Sequence, residues 1–197
     1  MREVELKSVV DDVARRRATV EAAGGTLTYA GQLLDRRYDT ANGSLAARDH
    51  VLRLRVYRNP EKTRAELDWK GPTGREDGYK VREELGVHLA EPDVLADMLE
   101  RLGYVVTIEI DREIAQYDLG GATVRFEHYP RLDDLVEVEG TPEQIERAIA
   151  ALGLPREGFT DERLPDFVRR FEARTGQRAA LCESELRGER RYDPANA

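Results

Sequence analysis

Cysteine is almost absent. Cys182 is the single one in 197 residues, which excludes an internal disulfide framework and any multi-cysteine metal site and fits a reducing compartment. Long apolar runs are missing as well: none approaches the ~18 residues that a membrane-spanning helix needs, and no apolar signal region follows Met1. These absences predict a cytoplasmic protein with no membrane contact. The three histidines, His50, His88 and His128, are scattered without metal-ligand spacing, and no Ser-His-Asp or Cys-His set offers a covalent nucleophile. An excess of positive charge is missing too. The formal net charge of -8 argues against a general nucleic-acid surface, yet leaves room for a local basic pocket inside an acidic shell. The partner of such a pocket is expected to be small.

What the sequence does hold is charge of both signs. Asp, Glu, Lys and Arg make up 36% of it, against roughly 25% in an ordinary globular chain. With 40% hydrophobic residues the chain can bury one sizeable core, read here as a domain over residues 1–176 followed by a weakly packed polar tail over 177–197. Residues 3–9 alternate as a strand. A helix over Asp11–Ala23 follows and stops at Gly24-Gly25; its Arg15-Arg16-Arg17 run reads as a solvated face. Strands are expected at about Leu33–Asp39, His50–Tyr57, Arg64–Lys70, Tyr79–Val87, Val105–Tyr117, Ala122–Tyr129 and Leu135–Glu139, with Gly120-Gly121 as a hairpin turn. Amphipathic helices are expected after Glu91-Pro92, after the capping box Thr141-Pro142-Glu143-Gln144, and over Asp161–Arg174.

The strands carry the informative pattern. Residues i and i+2 of a strand share a face. Glu3, Glu5 and Lys7 oppose Val4 and Leu6; Arg53 and Arg55 oppose Leu52, Leu54 and Val56; Glu66, Asp68 and Lys70 oppose Ala65, Leu67 and Trp69. Lys80, Arg82 and Glu84, then Arg125 and Glu127, then Glu137 and Glu139 repeat the theme. An open sheet would turn such faces to water. Here about eight strands are available, and apolar helix stripes need the other face to cover. The fold class expected is therefore α+β: a closed or nearly closed antiparallel eight-stranded β-barrel with helices packed outside. Its interior would be wet, paired and charged, because dry unpaired charges cost several kcal/mol each. Guanidinium and ammonium groups mixed with carboxylates suit a polyphosphate with divalent cations bridging the two.

Glu3-Val4-Glu5-Leu6-Lys7 has the Glu-x-Glu-x-Lys spacing of the CYTH family, also called triphosphate tunnel metalloenzymes, which includes class IV adenylyl cyclases and thiamine triphosphatases. Further segments resemble the family in order: Leu52-Arg53-Leu54-Arg55, Trp69-Lys70-Gly71-Pro72, Arg82-Glu83-Glu84, Arg112-Glu113 and Val136-Glu137-Val138-Glu139. The resemblance runs from Glu3 to about Leu154. It implies that Lys7, Arg53, Arg55, Lys70, Arg82 and Arg112, with Arg125, bind triphosphate, and that Glu3, Glu5, Glu127, Glu137 and Glu139 hold Mg²⁺ or Mn²⁺ or position water. Lys7 and Glu5 are the implied catalytic pair. The sequence departs from the family at Ile110, where a basic residue is common, and near Ala115; Arg37 or Tyr38 stands where a second-strand tyrosine is usual. The resemblance implies a metal-dependent triphosphatase acting on tripolyphosphate, thiamine triphosphate or a nucleoside triphosphate. Two alternatives stay open, a class IV adenylyl cyclase making cyclic AMP and pyrophosphate, and a non-catalytic polyphosphate-binding module. A homodimer is compatible with the sequence.

Overall fold

A computed structural model describes residues 2–76 and 79–196 of the chain, with the backbone alone for Arg2, Glu3, Tyr79 and Lys80. Among these residues the alternating segments form nine strands: β1 Arg2–Val9, β2 Thr26–Thr40, β3 Val51–Arg58, β4 Thr63–Lys70, β5 Gly74–Glu76, β6 Tyr79–Leu89, β7 Tyr104–Leu119, β8 Ala122–His128 and β9 Leu135–Glu139. The helices are α1 Val13–Ala22, α2 Pro92–Arg101, α3 Pro142–Leu152, α4 Leu164–Thr175 and α5 Glu183–Leu186. The strands pair antiparallel in the order β1-β9-β8-β7-β2-β3-β4-β6, and β6 returns to β1 through Arg2↔Glu83 to Glu5↔Lys80. That last pairing closes an eight-stranded barrel and leaves β5 as an addition on β6. Closure removes the unpaired strand edges that an open sheet of this length would expose.

The expected two-faced strands are what allow the ring to close. Their apolar faces point outward and are covered in large part by helices, while Leu85 and Val87 of β6 stay exposed. Leu6, Val124, Phe126, Val136 and Val138 form one core with Ile145, Ala148, Ile149 and Leu152 of α3 and Val20 of α1. Leu54 and Tyr38 form another with Leu99 of α2. The two-residue turn between Leu119 and Ala122 is Gly120-Gly121, with φ of 59° and 85°, the pair of positive values that a type I′ hairpin demands. The capping box from Thr141 to Gln144 is present at the start of α3. No helix among the described residues is long and apolar enough to cross a membrane.

Four expectations are corrected. β2 begins at Thr26, well before Leu33: residues 26–32 form a mostly exposed extension against β7, whose short alternation Thr26-Leu27-Thr28-Tyr29 belongs to the same strand. α4 begins at Leu164 and not at Asp161, since Thr160 is drawn into the sheet by two backbone bonds to Lys7, each 2.9 Å. The start of the tail is packed, although residues 183–196 stay largely exposed. Ala180 exchanges backbone bonds with Arg131, the carbonyl of Leu181 accepts from the Asp111 amide at 2.8 Å, and Ala180, Leu181 and Cys182 are buried. It covers the part of β7 that β8 does not reach, satisfying backbone groups that burial would otherwise strand. Finally, Arg16 and Arg17 are not solvated. Arg16 forks onto Asp11 at 2.7 and 2.8 Å and donates to the carbonyls of Leu152 and Gly153 at 3.1 and 2.9 Å, while Arg17 reaches the hydroxyl of Tyr117 at 2.9 Å.

Arg16 thus ties α1 to the C-terminus of α3, whose last carbonyls lack intrahelical partners. Arg16→Ala is expected to lower the unfolding free energy by roughly 1–3 kcal/mol, the cost of leaving buried acceptors unmet. Urea denaturation measures it, and a change below about 0.5 kcal/mol would contradict the assignment.

Candidate functional site

Strand register brings the charged faces together. Lys7 stands opposite Glu137 and Glu5 opposite Glu139 across β1 and β9. Glu137 is opposite Arg125, Asp35 opposite Arg55, Arg53 opposite Asp68 and Lys70 opposite Glu84. Directly opposed residues lie close enough to interact, so this register writes acid-base pairs around the inner wall.

The side chains realise those pairs. Asp35, only 1% exposed, receives a two-point contact from Arg55 at 2.8 and 2.9 Å and forms an ion pair with Arg112 at 3.1 Å. Arg53 grips Asp68 through Nε and Nη2 at 3.1 and 2.7 Å. Gly86 makes room for that carboxylate, because a Cβ there would lie 3.1 Å from its Oδ1. Lys7 Nζ is wedged between Glu137 at 2.9 Å and Glu127 at 3.6 Å. Arg125 holds the other oxygen of Glu137 at 2.8 Å. Glu127 also accepts from Arg112 Nε at 3.0 Å and from the Tyr129 hydroxyl at 2.7 Å. Arg82 donates to the backbone carbonyls of Gly71 and Asp49 at 2.7 and 2.6 Å. Asp49 sits in the left-handed region at φ 55°, an uncommon conformation for a residue other than glycine.

These contacts fix protonation states. Burial disfavours the Lys7 ammonium, but Glu137 and Glu127 outweigh it and raise its pKa above the ordinary lysine value. Burial likewise opposes the Asp35 carboxylate, yet Arg55, Arg112 and Arg53 hold it well below the usual range. Glu137 is depressed in the same way by Lys7 and Arg125 against its burial. Tyr129 is raised by burial and by Glu127 and stays a neutral donor.

One cavity of about 150 Å³ runs through this network, enough for roughly ten water-sized groups. Its cations are Lys7, Arg37, Arg53, Arg55, Lys70, Arg82, Arg112, Arg125 and Arg163; its anions are Glu5, Asp35, Glu84, Glu137, Glu139 and Glu162. The cations are in the majority, although the whole chain is acidic. Such a lumen attracts an anion rich in oxygen acceptors. Ten of the expected site residues line it: Glu5, Lys7, Arg53, Arg55, Lys70, Arg82, Arg112, Arg125, Glu137 and Glu139. Glu127 stands behind the wall, 1% exposed, with both oxygens engaged. The Glu3 side chain lies outside the described residues. Among the described residues no three acidic, His or Cys side chains converge as a ready-made metal cage.

Asp35, Arg37 and Tyr129 were not placed in the site from sequence. The alternation Leu33-Asp35-Arg37 would have pointed to the first two. Glu162, Arg163 and Leu164 reach the cavity from the segment entering α4, which carries no local signal. Ile110, with Ile108, packs against Leu164, Phe167 and Val168 of α4; the position is apolar because the helix lies across that end of the barrel.

Asp35→Asn is expected to cost about 3–5 kcal/mol, as it strands the buried Arg55 guanidinium and takes one of two carboxylates from Arg112; a loss under about 1 kcal/mol in denaturant melts would contradict the network. The low folded pKa values of Asp35 and Glu137 also set an acid limit. The unfolded chain takes up their protons first, so the stability they give is complete above about pH 5 and lost as pH falls below about 4. A Tm that stayed level from pH 7 to 3 would contradict this.

The architecture is shared with solved structures. A candidate adenylate cyclase from Vibrio parahaemolyticus superimposes with a TM-score of 0.71 at 19% identity, covering 85% of this chain and 97% of the other. A protein from Pyrococcus horikoshii gives 0.67 at 22% identity, covering 82% and 94%. A candidate adenylyl cyclase from Hippeastrum, described as having a dominant triphosphatase activity, gives 0.59 at 19% identity, covering 91% and 98%. No curated protein matches the sequence. At these identities the likeness is one of fold. The model of the CYTH domain, however, matches residues 1–155 of the sequence itself, and the chain belongs to that family.

Proposed function

We propose that the protein is a divalent-metal-dependent triphosphatase whose barrel lumen encloses the phosphate chain of its substrate. The observation that carries this reading is the cationic majority inside a closed, paired wall in an otherwise acidic chain. Lys7, Arg53, Arg55, Lys70, Arg82, Arg112 and Arg125 are the phosphate contacts. Most are already oriented by carboxylates, so little reorganisation is left for the moment of reaction.

The carboxylates suit a hard cation. Glu5 and Glu139 face each other on neighbouring strands and line the cavity with Glu137. Mg²⁺ and Mn²⁺ favour such oxygen donors, and Mg²⁺ is held by one or two carboxylates plus substrate phosphates more often than by an all-protein cage. When bound, the ion would neutralise charge on the phosphate oxygens. Lys7, kept cationic by Glu137 and Glu127, serves as a charge on the terminal phosphoryl group and not as a base. Glu5, which lines the cavity, is assigned the proton of the attacking water. Water oxygen bonds to the terminal phosphorus as the bridging P–O bond breaks, and its electron pair leaves with the diphosphate.

The test is turnover of tripolyphosphate, thiamine triphosphate and ATP with Mg²⁺ or Mn²⁺, followed by separate assays of phosphate, pyrophosphate and cyclic nucleotide. Phosphate release is expected, with kcat reduced about 100-fold or more in Lys7→Ala. Pyrophosphate with cyclic AMP would replace the reading by an adenylyl cyclase, and tight binding without turnover would replace it by a polyphosphate-binding module.

A further inference from the structure

Arg37 breaks the pairing rule that governs the rest of the lumen. The Nε and Nη2 atoms of Arg53 and Arg55 both grip a carboxylate, Asp68 and Asp35 respectively. Arg37 Nε is instead buried without a hydrogen-bond partner, and the guanidinium bonds through Nη1 to the backbone carbonyl of Asn196 at 3.0 Å. Among the described residues no carboxylate stands within ion-pairing distance of it. Burial first, then Arg53, Arg163 and Arg112, push its pKa down to about 9 against the pull of Asp35; at neutral pH it remains a cation.

Its position is as unusual as its bonding. Arg37, Val51 and Arg163 line both the charged cavity and a second one of about 140 Å³ that His50, Thr107 and Asn196 help to enclose. The β2–β7 register shifts between Arg37 and Tyr38, and Thr107 Oγ1 donates to the Arg37 carbonyl at 3.3 Å. Irregularities of this kind re-aim a side chain beside a site. A cation held in the lumen without a carboxylate partner departs from the local pairing, and such departures are expected at functional sites.

We infer that Arg37 is a further phosphate-binding residue, its guanidinium taking an oxyanion of the phosphate chain at the seam between the two cavities. The inference rests on the triphosphate reading above. Binding there would give a cation without a carboxylate partner its counter-charge, and it would supply one cation on the side of the lumen where Ile110 offers none.

The experiment is calorimetric binding of inorganic tripolyphosphate in EDTA to the wild-type chain, Arg37→Gln and Lys70→Gln, with the Tm of each free protein. Arg37→Gln is expected to weaken binding about tenfold or more while its Tm stays unchanged or rises, since a half-buried charge without a carboxylate partner is removed. A Tm below wild type would assign Arg37 a structural role in holding Asn196 and overturn the inference. Unchanged affinity in Arg37→Gln beside a loss in Lys70→Gln would also overturn it, leaving the triphosphate reading intact. Wild-type protein that binds no tripolyphosphate in EDTA or with Mg²⁺ restored, or two variants that both bind as wild type, would overturn that reading and the inference with it.

Discussion

Ion pairing inside an enclosed wall is the constraint from which the rest of the structure follows. Once β6 returns to β1, the charged strand faces have no bulk solvent to turn to, and each isolated charge would cost several kcal/mol. The register answers by placing Lys7 against Glu137, Arg55 against Asp35 and Arg53 against Asp68. Replacing such pairs with hydrocarbon would often be neutral or stabilising, so stability alone does not account for them. They hold guanidinium groups in fixed directions around a space, which is what recognition of a charged transition state requires.

The barrel ends show how the surrounding elements serve that interior. At one end Ile108 and Ile110 meet α4, and Leu164 reaches the cavity. Towards the other, Leu33, Tyr57 and Ile114 form a small apolar cluster. The charged zone lies between two apolar ones, which keep bulk water from the ions and so strengthen the attraction between them. Thr160 on Lys7 and Leu181 on Asp111 occupy stretches of strand that the ring itself leaves without a neighbour.

Much of this was legible because a strand writes both of its faces in alternate letters. Arg53-Leu54-Arg55 and Glu137-Val138-Glu139 disclosed an interior and an exterior at once, and α3 disclosed its start through Thr141 and Gln144. Less legible were features that depend on distant partners. Arg16 resembles its neighbours Arg15 and Arg17 in sequence, and only the docking of α3 makes it a clamp. Ala180, Leu181 and Cys182 form too short an apolar run to signal a buried segment, yet they seal β7. Asp35 reads as one polar residue in a mixed strand until β3 and β7 flank it with Arg55 and Arg112. Arg163 and Glu162 come to the cavity through the placement of α4, which no local spacing records.

The central claim is that the enclosed cations receive a triphosphate along the barrel axis. A crystal structure with tripolyphosphate and Mg²⁺ tests this most directly. The account predicts the phosphate chain inside the ring, within hydrogen-bond reach of Arg53, Arg112 and Arg125; a chain bound on the outer surface, or a lumen that stays free of phosphate at saturating ligand, would contradict it.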